Sequence, residues 1–236
     1  GGGGGGTAEE ERGAQMRRKR VRCVVLTDSN GRDATEDTIK IHLPREERNK
    51  FEVEVVVAYT IDEAYRRVES QSIDVRGARV IVDTLTNEVR GMRTRRALNP
   101  DELVHRVHQL RRLLMLAGAA GVVTCQLKPM EVKDVTPYNE RLHDYLQTEG
   151  QNGQGGYGCR TQTRLEHLRP DGYHIKPTYE GVICRTYACA ILGVEVPCPT
   201  SAIEFSPTSV RRRWEAEWPR VGGRGGAQNE RHGWRC

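Results

Sequence analysis

The sequence predicts an α/β fold in which a parallel sheet carries helices on both faces. Three observations lead there. Short runs of β-branched residues recur at intervals, each the length of a strand. Between them lie stretches with apolar residues three and four positions apart, the spacing of one helix face. The two kinds alternate, which is the pattern of βαβ units, and the right-handed crossover rule then sets the strands parallel. The 236 residues are enough for one such core, burying roughly 70% of the surface the unfolded chain exposes.

The elements follow in order. Val21–Thr27 (VRCVVLT) is a continuous β-branched run, as expected of a strand covered on both faces. Thr35–Leu43 has room for a short helix before Pro44 stops it. Phe51–Ala58 (FEVEVVVA) alternates and then turns fully apolar, a second strand, and Ile61–Glu69 reads as helix. Ala78–Thr84 is a third strand. Asn99-Pro100-Asp101-Glu102 is a helix start, with a capping residue, proline at the first helical position and acids in the first turn. Leu103, Val107, Leu110, Leu113, Leu114 and Ala117 continue that helix until Gly118 or Gly121, and Val122–Gln126 gives a fourth strand. Thr136-Pro137 opens another helix, Gly150–Gly158 is expected to be a flexible loop, and Thr178–Leu192 is a last helix.

In open parallel sheets ligands bind beyond the carboxyl ends of the strands, so chemistry is sought there. Strand one is followed by Thr27-Asp28-Ser29-Asn30-Gly31, strand two by Ala58-Tyr59-Thr60, and strand three by Thr84-Leu85-Thr86-Asn87-Glu88. Arg169-Pro170-Asp171-Gly172-Tyr173-His174 precedes the last helix. A serine hydroxyl becomes a nucleophile when an imidazole takes its proton, and the imidazole needs a partner on its other nitrogen. Asp171, three residues before His174 across a glycine turn, is placed to be that partner. Acyl transfer also needs donors for the developing oxyanion. The Asn87 amide, the Ser29 N–H and an N–H near Tyr59 are the candidates. Each has a plainer reading: Ser29 as a loop serine, Asn87 and Asp171-Gly172 as turn residues, His174 as a surface imidazole.

Asp28-Ser29, Thr86-Asn87-Glu88 and Asp171-Gly172-Tyr173-His174 together resemble the SGNH (GDSL-type) hydrolase family, across about Val21 to Gly193. The resemblance implies a flavodoxin-like three-layer α/β/α fold of about five strands. It implies a serine esterase acting on carboxylic esters, acyl or acetyl, of a small molecule or carbohydrate. Ser29 would be nucleophile, His174 base, Asp171 its orienting partner, and Ser29, Tyr59 and Asn87 the oxyanion donors. The chain departs from the pattern at two glycines: Thr27 opens the first block, and Ala58-Tyr59-Thr60 fills the second. The alternative is therefore a catalytically inactive domain of this fold that serves as a binding module.

Charge is concentrated at the ends. Residues 1–22 carry net +3 and residues 206–236 net +4, leaving the central 183 residues at net −2. Residues 1–20 and 206–236 are expected to be disordered tails flanking a domain over 21–205. Arg17–Arg22, Arg211-Arg212-Arg213 beside Trp214 and Trp218, and the Gly-Arg repeats near 222–226 are the basis for a nucleic-acid partner bound through the tails. No run of apolar residues reaches the ~18 that a membrane span needs.

Seven cysteines, an odd number without a CxxC pair, read as reduced thiols. With no apolar leader segment, they point to a cytoplasmic rather than a secreted setting; the missing initiator Met is compatible with a fragment. No cofactor or metal is called for. His105 and His108 share a helix face without a ligand cluster around them. Gly153–Gly158 matches GxGxxG but follows a helix instead of opening one. Glu88, Arg90, Arg93, Arg95 and Arg96 after strand three hint at a polar or anionic substrate.

Overall fold

The computed structural model describes residues 20–94, 96–151, 157–159 and 163–193. The expected tails therefore lie outside the described residues, apart from Arg20, and so do Gly153–Gly156 of the GxGxxG match, Arg95, Cys198 and Cys236.

Among the described residues five strands form the sheet: β1 (Val21–Thr27), β2 (Phe51–Val57), β3 (Arg79–Asp83), β4 (Gly121–Cys125) and β5 (Tyr157–Cys159). Their order is β2-β1-β3-β4-β5 and every neighbouring pair is parallel. This is the flavodoxin-like order. Among the described residues six α-helices accompany them: α1 (Glu36–Lys40), α2 (Ile61–Glu69), α3 (Thr86–Arg90), α4 (Pro100–Leu116), α5 (Thr136–Gln151) and α6 (Glu180–Gly193).

Strand pleating sorts the apolar residues to two faces. Val24, Leu26, Val56, Val80, Val82 and Val122 face one core, which α2, α4 and α5 close with Ala64, Leu103, Leu110 and Leu142. Cys23, Val25, Val53, Ile81, Val123 and Cys125 face the other, closed by α1 and α6 through Ile39, Ile183, Tyr187 and Ile191. The three-layer α/β/α arrangement follows from this alternation. Cys184 also packs in the second core, as a small hydrophobe does.

The four apolar strands lie within a residue or two of their expected bounds. Two expectations need correction. Gly150–Gly158 is not all loop: α5 runs to Gln151, and Tyr157–Cys159 pairs with β4 as the edge strand. A three-residue strand rich in glycine has no hydrophobic period to announce it. Residues 86–90, where no helix is expected and Asn87 has a plain reading as a turn residue, form α3, whose end is marked by Gly91 in the left-handed conformation. At α4 the expected signals all operate: the Asn99 side chain accepts from Glu102 N–H, the Glu102 side chain accepts from Asn99 N–H, and Pro100 opens the helix. Among the described residues no helix is long and apolar enough to cross a membrane.

Candidate active site

Strand register brings the first three loops to one rim. Thr27, the last residue of β1, lies level with Val57 of β2 and Asp83 of β3. The chain leaves β1 toward β2 on one side, whereas β3, β4 and β5 extend on the other. The turn after β1 therefore stands at the topological switch point, where such sheets form a crevice.

That turn is tightly held. Asp28 is fully buried and its Oδ1 accepts Asn30 N–H at 2.8 Å. Gly31 packs so closely on the Thr27 hydroxyl and the Tyr187 phenol that a Cβ there would collide with both oxygens. Ser29 is left half-buried at the crest of the turn.

The second loop is a tight turn closed by an antiparallel bridge between Leu168 and Ile175. Gly172 N–H donates to Arg169 C=O at 2.9 Å, and Gly172 takes the positive φ of 75° that this turn requires. Asp171 Oδ1 accepts the N–H groups of Tyr173 and His174 at 3.1 and 2.9 Å. Its Oδ2 lies 2.8 Å from His174 Nδ1. Burial pushes the Asp171 carboxyl up, but the His174 hydrogen bonds and the Tyr173 N–H outweigh it and hold the group below the usual carboxylate range.

The two loops meet. Ser29 Oγ is 3.2 Å from His174 Nε2, with no ring between them. Asn30 Oδ1 accepts Ile175 N–H at 3.1 Å and so ties the serine turn directly to the histidine loop. Asn30 was not singled out from the sequence; an Asn next to a serine in a turn carries no signal of what its side chain reaches.

The remaining expected residues divide. Asn87, in the first turn of α3 and buried, donates one Nδ2 hydrogen to Tyr59 C=O at 2.8 Å, which leaves its second hydrogen. Ser29 N–H has no partner among the described residues. The Tyr59 N–H corrects an expectation: it donates to Glu63 Oε2 at 3.0 Å and so is not presented to Ser29. The cause is local, because Thr60 caps α2 by accepting Glu63 N–H, and Glu63 reaches back to the preceding N–H.

Beneath the turn lies a buried polar network that the sequence did not reveal. Lys128 Nζ donates to both Asp83 oxygens at 2.8 and 2.7 Å, and both side chains are almost wholly buried. Tyr187 OH donates to Asp83 Oδ2 at 2.7 Å and is 2.6 Å from Thr27 Oγ1. Burial would lower the Lys128 ammonium, but the Asp83 and Asp28 carboxylates raise it to about 12. Lys128 thus supplies the positive charge for a buried region holding two acids. Leu127-Lys128-Pro129-Met130 reads as an irregular loop, and no periodicity distinguishes its lysine from a solvated one.

Comparison with solved structures places this architecture. A lipolytic protein of the G-D-S-L family from Veillonella parvula aligns with a TM-score of 0.52 at 8% identity, over 75% of this chain and 100% of that chain. A family 3 carbohydrate esterase from Clostridium thermocellum aligns with a TM-score of 0.54 at 13% identity, over 75% and 97%. An acetyl xylan esterase gives 0.52 at 12% identity, over 75% and 100%. No protein-family model matches the sequence, and no curated protein does. At these identities the likeness is one of fold: this chain shares the three-layer architecture on which GDSL-type lipolytic proteins and esterases are built.

Proposed function

We propose that the chain hydrolyses carboxylic esters with Ser29 as nucleophile, His174 as general base and acid, and Asp171 as orienting carboxylate. One observation carries the reading: the unbroken line Ser29 Oγ, His174 Nε2, His174 Nδ1, Asp171 Oδ2, with steps of 3.2 and 2.8 Å, at the carboxyl end of β1.

The chemistry follows from the donors and acceptors. Ionised Asp171 accepts from His174 Nδ1–H, which leaves Nε2 with a lone pair toward the serine hydroxyl. Ser29 Oγ attacks the ester carbonyl as its proton passes to Nε2. Asp171 steadies the resulting imidazolium. The carbonyl oxygen becomes an oxyanion, for which Ser29 N–H and the second hydrogen of Asn87 Nδ2 are the available donors. His174 returns its proton to the departing alkoxide, leaving an acyl-serine. Water then repeats the sequence, giving its proton to Nε2 and releasing the acid.

Of the two glycine departures, the one at Thr27 is compatible with this reading, whereas the one at Ala58-Tyr59-Thr60 costs it an oxyanion donor, because Tyr59 N–H is bound to Glu63. The Thr27 hydroxyl turns inward to Tyr187, and the nucleophile turn keeps its close approach through Gly31. The likeness of fold to esterases adds support of a coarser kind.

The test is turnover of 4-nitrophenyl acetate by the purified chain, with labelling by a fluorophosphonate probe. Ser29→Ala is expected to lower kcat by about 10³-fold or more and to abolish labelling. A loss of only about twofold, or a well-folded native protein that takes no label, would leave the fold as a binding scaffold instead.

A further inference from the structure

We propose that the ester taken at this site carries an anionic group, a carboxylate or another oxyacid, held by Arg90 and Arg93. The inference rests on the esterase reading above and names its substrate class.

The observations concern the two walls of the crevice. On the histidine side, the Tyr173 ring lies tilted by 41° against the His174 ring with centroids 3.9 Å apart. The Arg90 guanidinium lies over Tyr173, 3.2 Å from its centroid. A fixed cation thus stands one ring away from the proposed base. On the other side, Tyr59 holds the Asn87 amide through its carbonyl, and the Arg93 guanidinium lies 3.9 Å over the Tyr59 ring. Both arginines come from one short stretch, the last residue of α3 and the turn after it. Arg93 adopts φ 59°, the left-handed region a non-glycine residue seldom takes.

Among the described residues nothing neutralises the charges of these two side chains. Neither forms an ion pair among the described residues, whereas Arg96 and Arg106 nearby pair with Glu102 and Asp62. The acids around the site are engaged elsewhere. Asp171 faces His174, Glu88 accepts Ile61 N–H, and Glu63 accepts Tyr59 N–H. Glu131, exposed beside Gly172, pairs with neither arginine.

Stacking on a ring uses the face of a guanidinium and leaves its edge N–H groups for hydrogen bonding. Those edges match the oxygens of a carboxylate, sulfate or phosphate and would have no use for an uncharged ester. A groove of about 1250 Å³ between α2 and α4 adjoins Arg93, lined further by Arg66, Arg112, Glu88 and the Asp62–Arg106 pair, and has room for the anionic portion.

The experiment measures kcat/KM of the full chain on two matched pairs. 4-Acetoxybenzoate against its methyl ester places the charge on the alcohol. 4-Nitrophenyl hydrogen adipate against methyl 4-nitrophenyl adipate places it on the acyl chain. In at least one pair the anion should be preferred by about tenfold, expressed in KM, and the pair that shows it tells which side faces the arginines. The preference should shrink as salt is raised to about 0.5 M, because partly exposed charges are screened. In the Arg90→Gln/Arg93→Gln double variant it should fall to about unity, with Arg90→Lys keeping part of it. Should the double variant not fold, the salt titration of the unaltered chain decides. Neutral esters equal to or better than their anions in both pairs, or a preference unmoved by salt, would overturn the proposal while leaving the esterase reading in place. Absence of turnover on all four esters, together with no fluorophosphonate labelling, would overturn the esterase reading and this one with it.

Discussion

His174 is fixed from two directions, and each can be removed separately. Asp171 holds Nδ1, while Asn30 holds the following backbone N–H. Asp171→Asn keeps the shape but turns the ring's tautomer against its task; kcat should fall by roughly 10²–10⁴ with the circular dichroism spectrum unchanged. Asn30→Ala leaves the three side chains of the proposed triad intact and loosens the join between their loops. A misplacement of under an ångström is enough to lower kcat about tenfold or more while KM moves little, and steady-state kinetics on 4-nitrophenyl acetate separate the two. At this scale the sequence revealed the residues whose signal is local: a serine directly after a buried strand, and Asp-x-x-His across a glycine turn. It did not reveal bonds whose direction is set elsewhere. Tyr59 N–H belongs to a helix cap, and Asn30 reaches a residue 145 positions away.

Between elements, Lys128 joins the end of β3 to the loop after β4, and Tyr187 of α6 completes the contact with β1. Removing the ammonium leaves Asp83 and Asp28 buried without their countercharge. Lys128→Met should therefore destabilise by about 3–5 kcal/mol, read as a lower urea midpoint at unchanged m-value. Replacing Lys128 and Asp83 together by apolar residues should recover much of that loss, since the penalty belongs to the orphaned charge. Gly31→Ala strikes the same region from above. Its methyl group meets the Thr27 and Tyr187 oxygens, and overpacking of this kind costs about 1–3 kcal/mol. The strands of this sheet were legible because burial on both faces forces continuous β-branched runs, and α4 because caps and period agree. The edge strand β5 and the five-residue α3 were not. Neither is long enough for a period, and each is held by its neighbours more than by its own propensity.

For the molecule as a whole, the clearest titration belongs to a residue outside the proposed triad. His42 follows α1 and is buried against Gly181 of α6. Burial, then the Arg185 and Arg48 charges, depress its imidazole from 6.5 to about 4. In the unfolded chain the same ring titrates near 6.5, so between these two values the unfolded state binds the additional proton. Stability therefore rises with pH across that window, is fully present above about 6.5, and is lost as the pH falls through 4. The full shift corresponds to a loss of about 3 kcal/mol. Asp171, held below the usual carboxylate range, contributes a loss of the same sign at lower pH, and Glu88, raised by burial, one of opposite sign. Comparison with His42→Gln isolates the imidazole from both. Urea denaturation at pH 7.5 and pH 4.5 should show the unaltered chain losing about 2 kcal/mol more than the variant does. Equal losses in the two proteins would mean that the His42 imidazole is not depressed in the folded chain, and that the junction of α1 with α6 does not respond to acid.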